Sequence, residues 1–104
     1  MANAISSSRP RVLTLEQTCL VVPSQWEGRL EDGRMFYVRF RNGHFEVRLS
    51  PRPTGDVMDA VRAPTSFEWF SEDPEDGIME EAEMMDRAGS TLDFGRLRAA
   101  RSDS

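Results

Sequence analysis

The chain has 104 residues, a formal net charge of −5 and a single cysteine. These figures allow one domain with a modest core, and they exclude an intrachain disulfide and a Cys/His zinc site. No apolar run approaches the ~20 residues of a membrane helix, and the first residues lack the apolar core of a signal peptide. We therefore expect a cytoplasmic protein with no membrane partner.

The first stretch, residues 1–11, is polar, serine-rich and ends beside a proline, which predicts a disordered tail. A single α+β domain is predicted for residues 12–90, and a flexible basic tail for residues 91–104. The start of the domain leaves two interpretations open. One is a short helix with a capping box at Thr14, and the other is a strand over residues 20–22.

Residues 26–49 predict a three-stranded antiparallel meander, because apolar and polar residues alternate around two turn signals. Asn42-Gly43 favours a two-residue type I′ turn, since both positions need a positive φ. The pairs that follow, from Arg41–His44 onward, are each wholly apolar or wholly polar. This agreement specifies the register.

The first turn is predicted to have three residues, with Gly33 in a left-handed bulge. A two-residue loop would pair Gly28 with Tyr37 and mix the two faces, whereas the three-residue loop pairs Gly28 with Phe36. One face of the meander is then apolar and forms the predicted core: Trp26, Leu30, Phe36, Val38, Phe40, Phe45, Val47 and Leu49.

Two helices are predicted beyond the meander, and both are expected to cover its apolar face. Thr54 is a candidate cap for a short helix over about residues 56–62. Asp73-Pro74 combines an N-cap side chain with proline at the first helical position, which predicts a longer helix over residues 74–88. Its expected apolar stripe is Ile78, Ala82 and Met85.

An aromatic run lies between these helices, and a basic segment follows the second. Phe67, Trp69 and Phe70 are candidates for burial at the edge of the sheet. Residues 92–100 are predicted to form a frayed basic turn.

Charge is segregated along the chain. Residues 56–86 contain eleven acids and one arginine, a net charge of −10, whereas residues 26–52 have a net charge of +2. Such an acidic run is typical of a solvated helix face, and it also suits a basic partner. Docking of the acidic helix onto the polar sheet face is a third interpretation. The candidate partner-binding acids are Glu75, Asp76, Glu80, Glu81 and Glu83.

The polar face of the meander carries one aromatic residue among arginines. An aromatic ring among cations is a feature of stacking platforms for nucleic acid. Cross-strand pairing of Arg39 with Glu46 explains the same surface structurally. The candidate partner-binding residues of this face are Tyr37, Arg39, Arg41 and Arg48.

No catalytic, cofactor-binding or metal-binding residue is predicted, so we expect a protein that is not an enzyme. His44 lies beside the hairpin turn without a partner of recognisable spacing, and Cys19 lies among apolar residues, as inert thiols do. The acids lack the alternating spacing of a calcium loop, and the glycines are scattered at turns instead of forming a phosphate-binding loop.

The meander resembles a WW domain through Trp26-Glu27, Asp32-Gly33-Arg34, Phe36-Tyr37 and Pro51. That resemblance implies binding of a proline-rich peptide in a groove that includes Tyr37. The third strand carries Phe45-Glu46-Val47-Arg48 where WW domains have a second tryptophan.

Residues 13–61 are similar to small proteins of actinobacteria and their phages. The shared residues are Gln-Trp-Glu-Gly at 25–28, Asp-Gly-Arg at 32–34 and Tyr-Val-Arg-Phe-Arg at 37–41, and the presence of 13 arginines without lysine agrees with such a source. The resemblance implies a phage or mobile element in a bacterial host, and it implies no residue roles.

These observations lead to one functional expectation and two alternatives. We expect a non-enzymatic interaction or accessory protein that binds a host or phage protein. In the first alternative, the predicted acidic helix over residues 73–86 imitates nucleic acid and inhibits a DNA-binding protein of the host. In the second, the protein binds nucleic acid weakly through Tyr37 and the arginines of the sheet face.

Overall fold

The computed structural model describes residues 9–19 and 24–102, which form an α+β fold around one antiparallel sheet. Each strand is hydrogen-bonded to the next in chain order. The strands are β1 (Glu16–Cys19), β2 (Ser24–Arg29), β3 (Met35–Arg41), β4 (His44–Leu49) and β5 (Thr65–Phe70). The predicted α+β class is confirmed, whereas the prediction of three strands is wrong because a strand is added at each edge.

Three short helices accompany the sheet in the described part of the chain. They are α1 (Met58–Val61), α2 (Glu81–Ala88) and α3 (Gly95–Ser102). Residues 1–8 of the predicted N-terminal tail lie outside the described residues, and so do residues 20–22 of the alternative strand.

The central three strands confirm the predicted register. Every predicted pair between β3 and β4 is present, from Arg41–His44 to Phe36–Leu49. Between β2 and β3, Gly28 lies opposite Phe36, as the three-residue first turn requires. Alternation of side chains along each strand therefore places the polar and apolar sets on opposite faces.

Both turns have the predicted backbone conformation. Gly33 has a φ of 92°, and the hairpin turn between β3 and β4 has φ values of 53° at Asn42 and 74° at Gly43. Gly43 is also closely covered, because a Cβ built on it would lie 2.6 Å from the carbonyl oxygen of Asp73. Glycine is thus required there both by conformation and by space.

At the start of the domain the structure contains a strand, so the helix interpretation is wrong. Thr14 does not cap a helix, because its Oγ1 accepts a hydrogen bond from Arg29 N at 3.0 Å. Leu13 N likewise donates to Arg29 O at 2.9 Å. These bonds tie the chain to the end of β2 and lead it into β1.

The core lies on the apolar face of the sheet. Every predicted sheet residue of this face is buried except Leu49, which is partly buried against the core. Helix α2 contributes Met84, Met85 and Ala88 to this core, and four more apolar residues from the rest of the chain complete it. These further residues are Val12, Met79, Leu92 and Phe94.

The long helix begins at Glu81, so the predicted start at residue 74 is wrong, whereas it ends at Ala88 as predicted. Of the predicted stripe, Met85 is buried but Ile78 and Ala82 are exposed. Asp73 Oδ1 accepts from Glu75 N at 3.0 Å, which forms a turn instead of a helical cap. Ser24 then holds the next residues from β2, since its N donates to Gly77 O at 2.9 Å and its Oγ accepts from Met79 N at 3.0 Å. These long-range bonds keep the segment extended, and they leave Ile78 66% exposed.

The short helix lies within the predicted range but is shorter, and it does not cover the predicted face of the sheet. Its first turn is capped by Asp56, whose Oδ1 accepts from Met58 N at 2.9 Å, and not by Thr54. Ala60 is buried but does not belong to the core cluster. Arg48, on the polar face of β4, donates to the carbonyl of Ala63 just after α1. We therefore place α1 beside the polar face, whereas the sequence predicted that it covers the apolar face.

The chain beyond residue 90 contributes to the domain. Leu92 and Phe94 are buried, and the Phe94 ring meets that of Phe36 edge to face at 6.4 Å. Asp93 forms a parallel bridge with Arg11, which joins the two ends of the described chain. Helix α3 occupies much of the segment that the sequence predicted as a frayed turn.

Candidate interaction surfaces

The centre of the polar sheet face is an ion-pair cluster around Glu46, whose side chain is 1% exposed. Arg39 donates to Oε2 from Nε at 3.0 Å and from Nη2 at 2.6 Å. Arg48 donates to Oε1 from Nε at 3.0 Å and from Nη2 at 2.7 Å. Burial alone would raise the pKa of Glu46, but the hydrogen bonds from Arg48 and Arg39 hold that pKa below its ordinary value. One ionised carboxylate thus engages two of the predicted binding residues, and the three side chains together keep one net positive charge.

Tyr37 lies beside this cluster and is half-buried. Its hydroxyl donates to Gln25 Oε1 at 3.1 Å. Burial raises the pKa of Tyr37, which further favours the protonated hydroxyl that donates to Gln25. Arg41 is the remaining candidate of this face, and it is exposed without an ion pair to any described residue. Of the three candidate arginines, Arg41 is therefore the one that forms no ion pair with a described residue.

His44 and Phe70 form an aromatic pair where β4 and β5 meet beside the hairpin turn. The ring centroids are 4.6 Å apart, and the planes are inclined by 4°. His44 Nε2 lies 2.8 Å from Glu68 Oε1, so the histidine has the carboxylate partner that its sequence spacing did not reveal. The other neighbour is a phenyl ring, which supplies neither a nucleophile nor a proton.

The segment before α2 presents unpaired acids. Glu75 and Glu80, both predicted to bind a partner, are exposed and form no ion pair within residues 9–19 and 24–102. Asp76 is half-buried, and its carbonyl accepts from Gly43 N at 2.6 Å. Its Oδ1 is 3.5 Å from Ile78 N, within the same segment. The bond from Gly43 N is the contact by which Asp76 holds the segment against the hairpin turn.

The acids of α2 have structural partners. Glu83 accepts from Arg87 Nε at 2.8 Å, and Asp86 accepts from Arg98 Nη2 at 2.8 Å. Glu81 is half-buried at the start of the helix. Because α2 packs on the apolar face of the sheet, its acids do not dock on the polar face, and that interpretation is wrong.

Neither of two open clefts on the described surface brings together a catalytic set. The larger, about 540 Å³, groups Arg52 with Arg62, the lone arginine of the acidic stretch. The smaller, about 370 Å³, is crossed by the ion pair of Asp86 with Arg98. No group of histidine, cysteine or acidic side chains among the described residues is placed to hold a metal ion.

No family model, curated protein or solved structure matches the chain. In the part of the chain that the structure describes, no helix is long and apolar enough to cross a membrane.

Strand β5 is the feature that the sequence interpretation missed. Phe67 and Trp69 pack partly against the core, whereas Phe70, predicted to be buried, is 65% exposed. The alternation of Phe67, Glu68 and Trp69 was a strand signal, but the adjacent Phe70 obscured it. Its position at the sheet edge depends on pairing with β4, which is not visible locally.

Proposed function

We propose that this protein is a non-enzymatic interaction protein that binds another protein through its acidic surface. We define this surface by four exposed acids that precede α2: Glu72, Asp73, Glu75 and Glu80. The observation that carries the proposal is that none of them forms an ion pair with a described basic side chain. Intramolecular pairing, the ordinary explanation of such a run, accounts for Glu83 and Asp86 but not for these four.

The wider setting of the proposal comes from the resemblance stated above. We propose an accessory protein of a phage or mobile element that acts in the cytoplasm of a bacterial host. Binding of a host or phage protein is consistent with a surface that has charge but no catalytic set.

The two nucleic-acid alternatives receive less support. A stacking platform on the sheet face would rely on Arg39 and Arg48, whose guanidinium groups are both held by hydrogen bonds to Glu46. A nucleic-acid mimic needs a regular row of anions, whereas the acids here divide between an extended segment and a helix that has two of them paired. Both alternatives remain as outcomes of the test.

The test compares two double variants with equal loss of charge. Glu75→Gln with Glu80→Gln removes two acids of the acidic surface, and Glu16→Gln with Glu31→Gln removes two exposed acids elsewhere. A tagged full chain captures proteins from actinobacterial lysate, and the affinity of a captured protein is then measured at several salt concentrations.

We expect the first double variant to lose about tenfold in affinity and to show a weaker salt dependence, since each exposed charge contributes modestly. The second double variant should bind like the parent. Equal binding by both variants would overturn the proposal. Capture that is lost on nuclease treatment would favour direct nucleic-acid binding, and capture of DNA-binding proteins alone would favour the mimic.

A further inference from the structure

Strand β5 presents unpaired backbone groups at the open edge of the sheet. Ser71 N donates to Gly43 O at 2.7 Å, immediately beyond the pair of His44 with Phe70. Hydrogen-bonded and non-hydrogen-bonded pairs alternate along an antiparallel ladder. The N–H and C=O groups of Glu68 and Phe70 therefore point away from β4, into the space beyond the edge.

Nothing in the described chain covers this edge. Strand β5 is bonded to β4 alone, and no backbone hydrogen bond from another described segment reaches it. The opposite edge, β1, has four residues and an irregularity between Gln17 and Cys19, a device that protects edges from pairing. The pairing of β4 with β5 has its own irregularity between Val47 and Arg48, but the run from Phe67 to Phe70 beyond it is regular and contains no proline.

The charge around β5 indicates which kind of strand fits there. Glu68 is exposed on the strand, and the acidic surface follows it directly in the chain. A second copy of this chain would bring the same acids into apposition, and directly opposed like charges are unfavourable. A basic segment would be attracted instead. On the core side, Phe67 and Trp69 are only partly buried and offer contacts for apolar side chains.

We propose that the open edge of β5 binds an extended segment of a partner protein by strand addition. The segment alternates basic and apolar side chains, so that its basic residues meet Glu68 and its apolar residues meet Phe67 and Trp69. Main-chain hydrogen bonds to Glu68 and Phe70 provide the affinity, as in other strand-addition complexes. This inference rests on the proposed function, since it names the form of the partner.

Glu68→Pro tests the backbone contribution, because proline removes an N–H that points outward and leaves the bonds to β4 intact. Glu68→Ala is its matched control, since both variants lose the pair with His44. The probe is an acetylated eight-residue peptide of alternating arginine and valine, and a version with alternate N-methylated amides is its own control. Calorimetry on the full chain gives the affinities.

We expect the peptide to bind Glu68→Ala about tenfold more tightly than Glu68→Pro, the effect of one lost hydrogen bond with its neighbours. The parent chain should bind the N-methylated peptide no more tightly than Glu68→Pro binds the unmethylated peptide. Amide exchange at Glu68 and Phe70, read by NMR, should slow when the peptide is added. Circular dichroism of the two variants confirms that both fold.

Equal affinity for both Glu68 variants, no peptide binding by the parent, or slow amide exchange at Glu68 before addition would overturn the inference. A dimer in sedimentation that Glu68→Pro dissociates would also overturn it and make a second copy the occupant. Failure here is distinct from failure of the proposed function. If a captured protein still depends on Glu75 and Glu80 but binds Glu68→Pro normally, the acidic surface stands and the strand-addition mode does not.

Discussion

Arg87 lies over the ring of Trp69, with its Cζ atom 3.5 Å from the ring centroid. The guanidinium Nε donates at the same time to Glu83 at 2.8 Å, and Trp69 stacks on Phe40 with centroids 6.1 Å apart. One side chain of α2 thus connects the helix to the edge strand and, through the tryptophan, to the core. This contact holds β5 in place while leaving its outer edge open.

Replacement of Arg87 should destabilise the protein through this contact. We expect Arg87→Ala to lower the free energy of unfolding by about 1–2 kcal/mol, because the cation–π interaction and the packing of the aliphatic stem are both lost. Arg96→Ala, at an exposed position of α3, serves as the control and should change it by less than about 0.5 kcal/mol. Urea unfolding followed by tryptophan fluorescence provides both values, and equal values would contradict the role of the contact.

The Glu46 cluster should make part of the stability dependent on pH. The pKa of Glu46 is lowered in the folded protein, so its contribution is complete above the unfolded value of about 4.3 and is lost as pH falls through the folded value. At pH 7, Glu46→Gln should lower the free energy of unfolding by about 2 kcal/mol, since it leaves Arg39 and Arg48 without their carboxylate.

The measurement is the difference in unfolding free energy between the parent and Glu46→Gln at pH 7 and at pH 3. The difference should shrink at the lower pH, because the unfolded chain binds a proton at Glu46 more readily than the folded protein, in which the pKa of Glu46 is lowered. A difference that is the same at both pH values would show that the loss comes from packing and not from charge.

Trp26 is fully buried, and its indole Nε1 has no hydrogen-bond partner among the described residues. Trp26→Ala should cost about 3–5 kcal/mol, because it opens a large cavity in the core. Trp26→Phe should be about 1–2 kcal/mol less destabilising than Trp26→Ala, since phenylalanine keeps most of the apolar volume and removes an unsatisfied donor. Thermal unfolding by circular dichroism compares the three proteins. An alanine variant that melts like the parent would contradict the core assignment.

Gly43 and Gly55 differ in the space around them and in backbone conformation. A Cβ at Gly43 would meet the carbonyl of Asp73 at 2.6 Å, with φ at 74°, whereas a Cβ at Gly55 has no atom within 4 Å. Gly43→Ala should therefore cost about 2 kcal/mol or more, and Gly55→Ala should be neutral or slightly stabilising. Chemical denaturation measures both, and equal stability of the two variants would argue against the contact between the hairpin turn and the acidic surface.

The register of the central sheet was predictable because its determinants are local. Asn42-Gly43 and Gly33 specify their turns by the φ values they tolerate, and strict alternation then assigns every neighbour to a face. The pairing of Arg39 with Glu46 followed from that register. Alternation also places Arg48 beside Glu46 on the same face, but its second hydrogen bond, to the carbonyl of Ala63, depends on where α1 packs.

The candidate surface was predictable only in composition. The sequence indicated that acids are concentrated before and within α2, but which of them are paired depends on contacts such as Arg98 with Asp86, from another helix. The edge position of β5 was not predictable either, since an edge is defined by the absence of a neighbour. Glu68, the residue of β5 that pairs with His44, lies 24 residues away from that histidine along the chain.

By itself, the sequence determined the β2–β4 meander, its two turns and the division of side chains between an apolar and a polar face. Only the tertiary structure decided where the long helix begins, because hydrogen bonds from Ser24 to the backbone of Gly77 and Met79 keep this segment extended instead of helical. The physical reason is the same in each case. Turns and alternation act between neighbours, whereas the helix start, the free acids and the open edge depend on backbone groups brought together from distant parts of the chain.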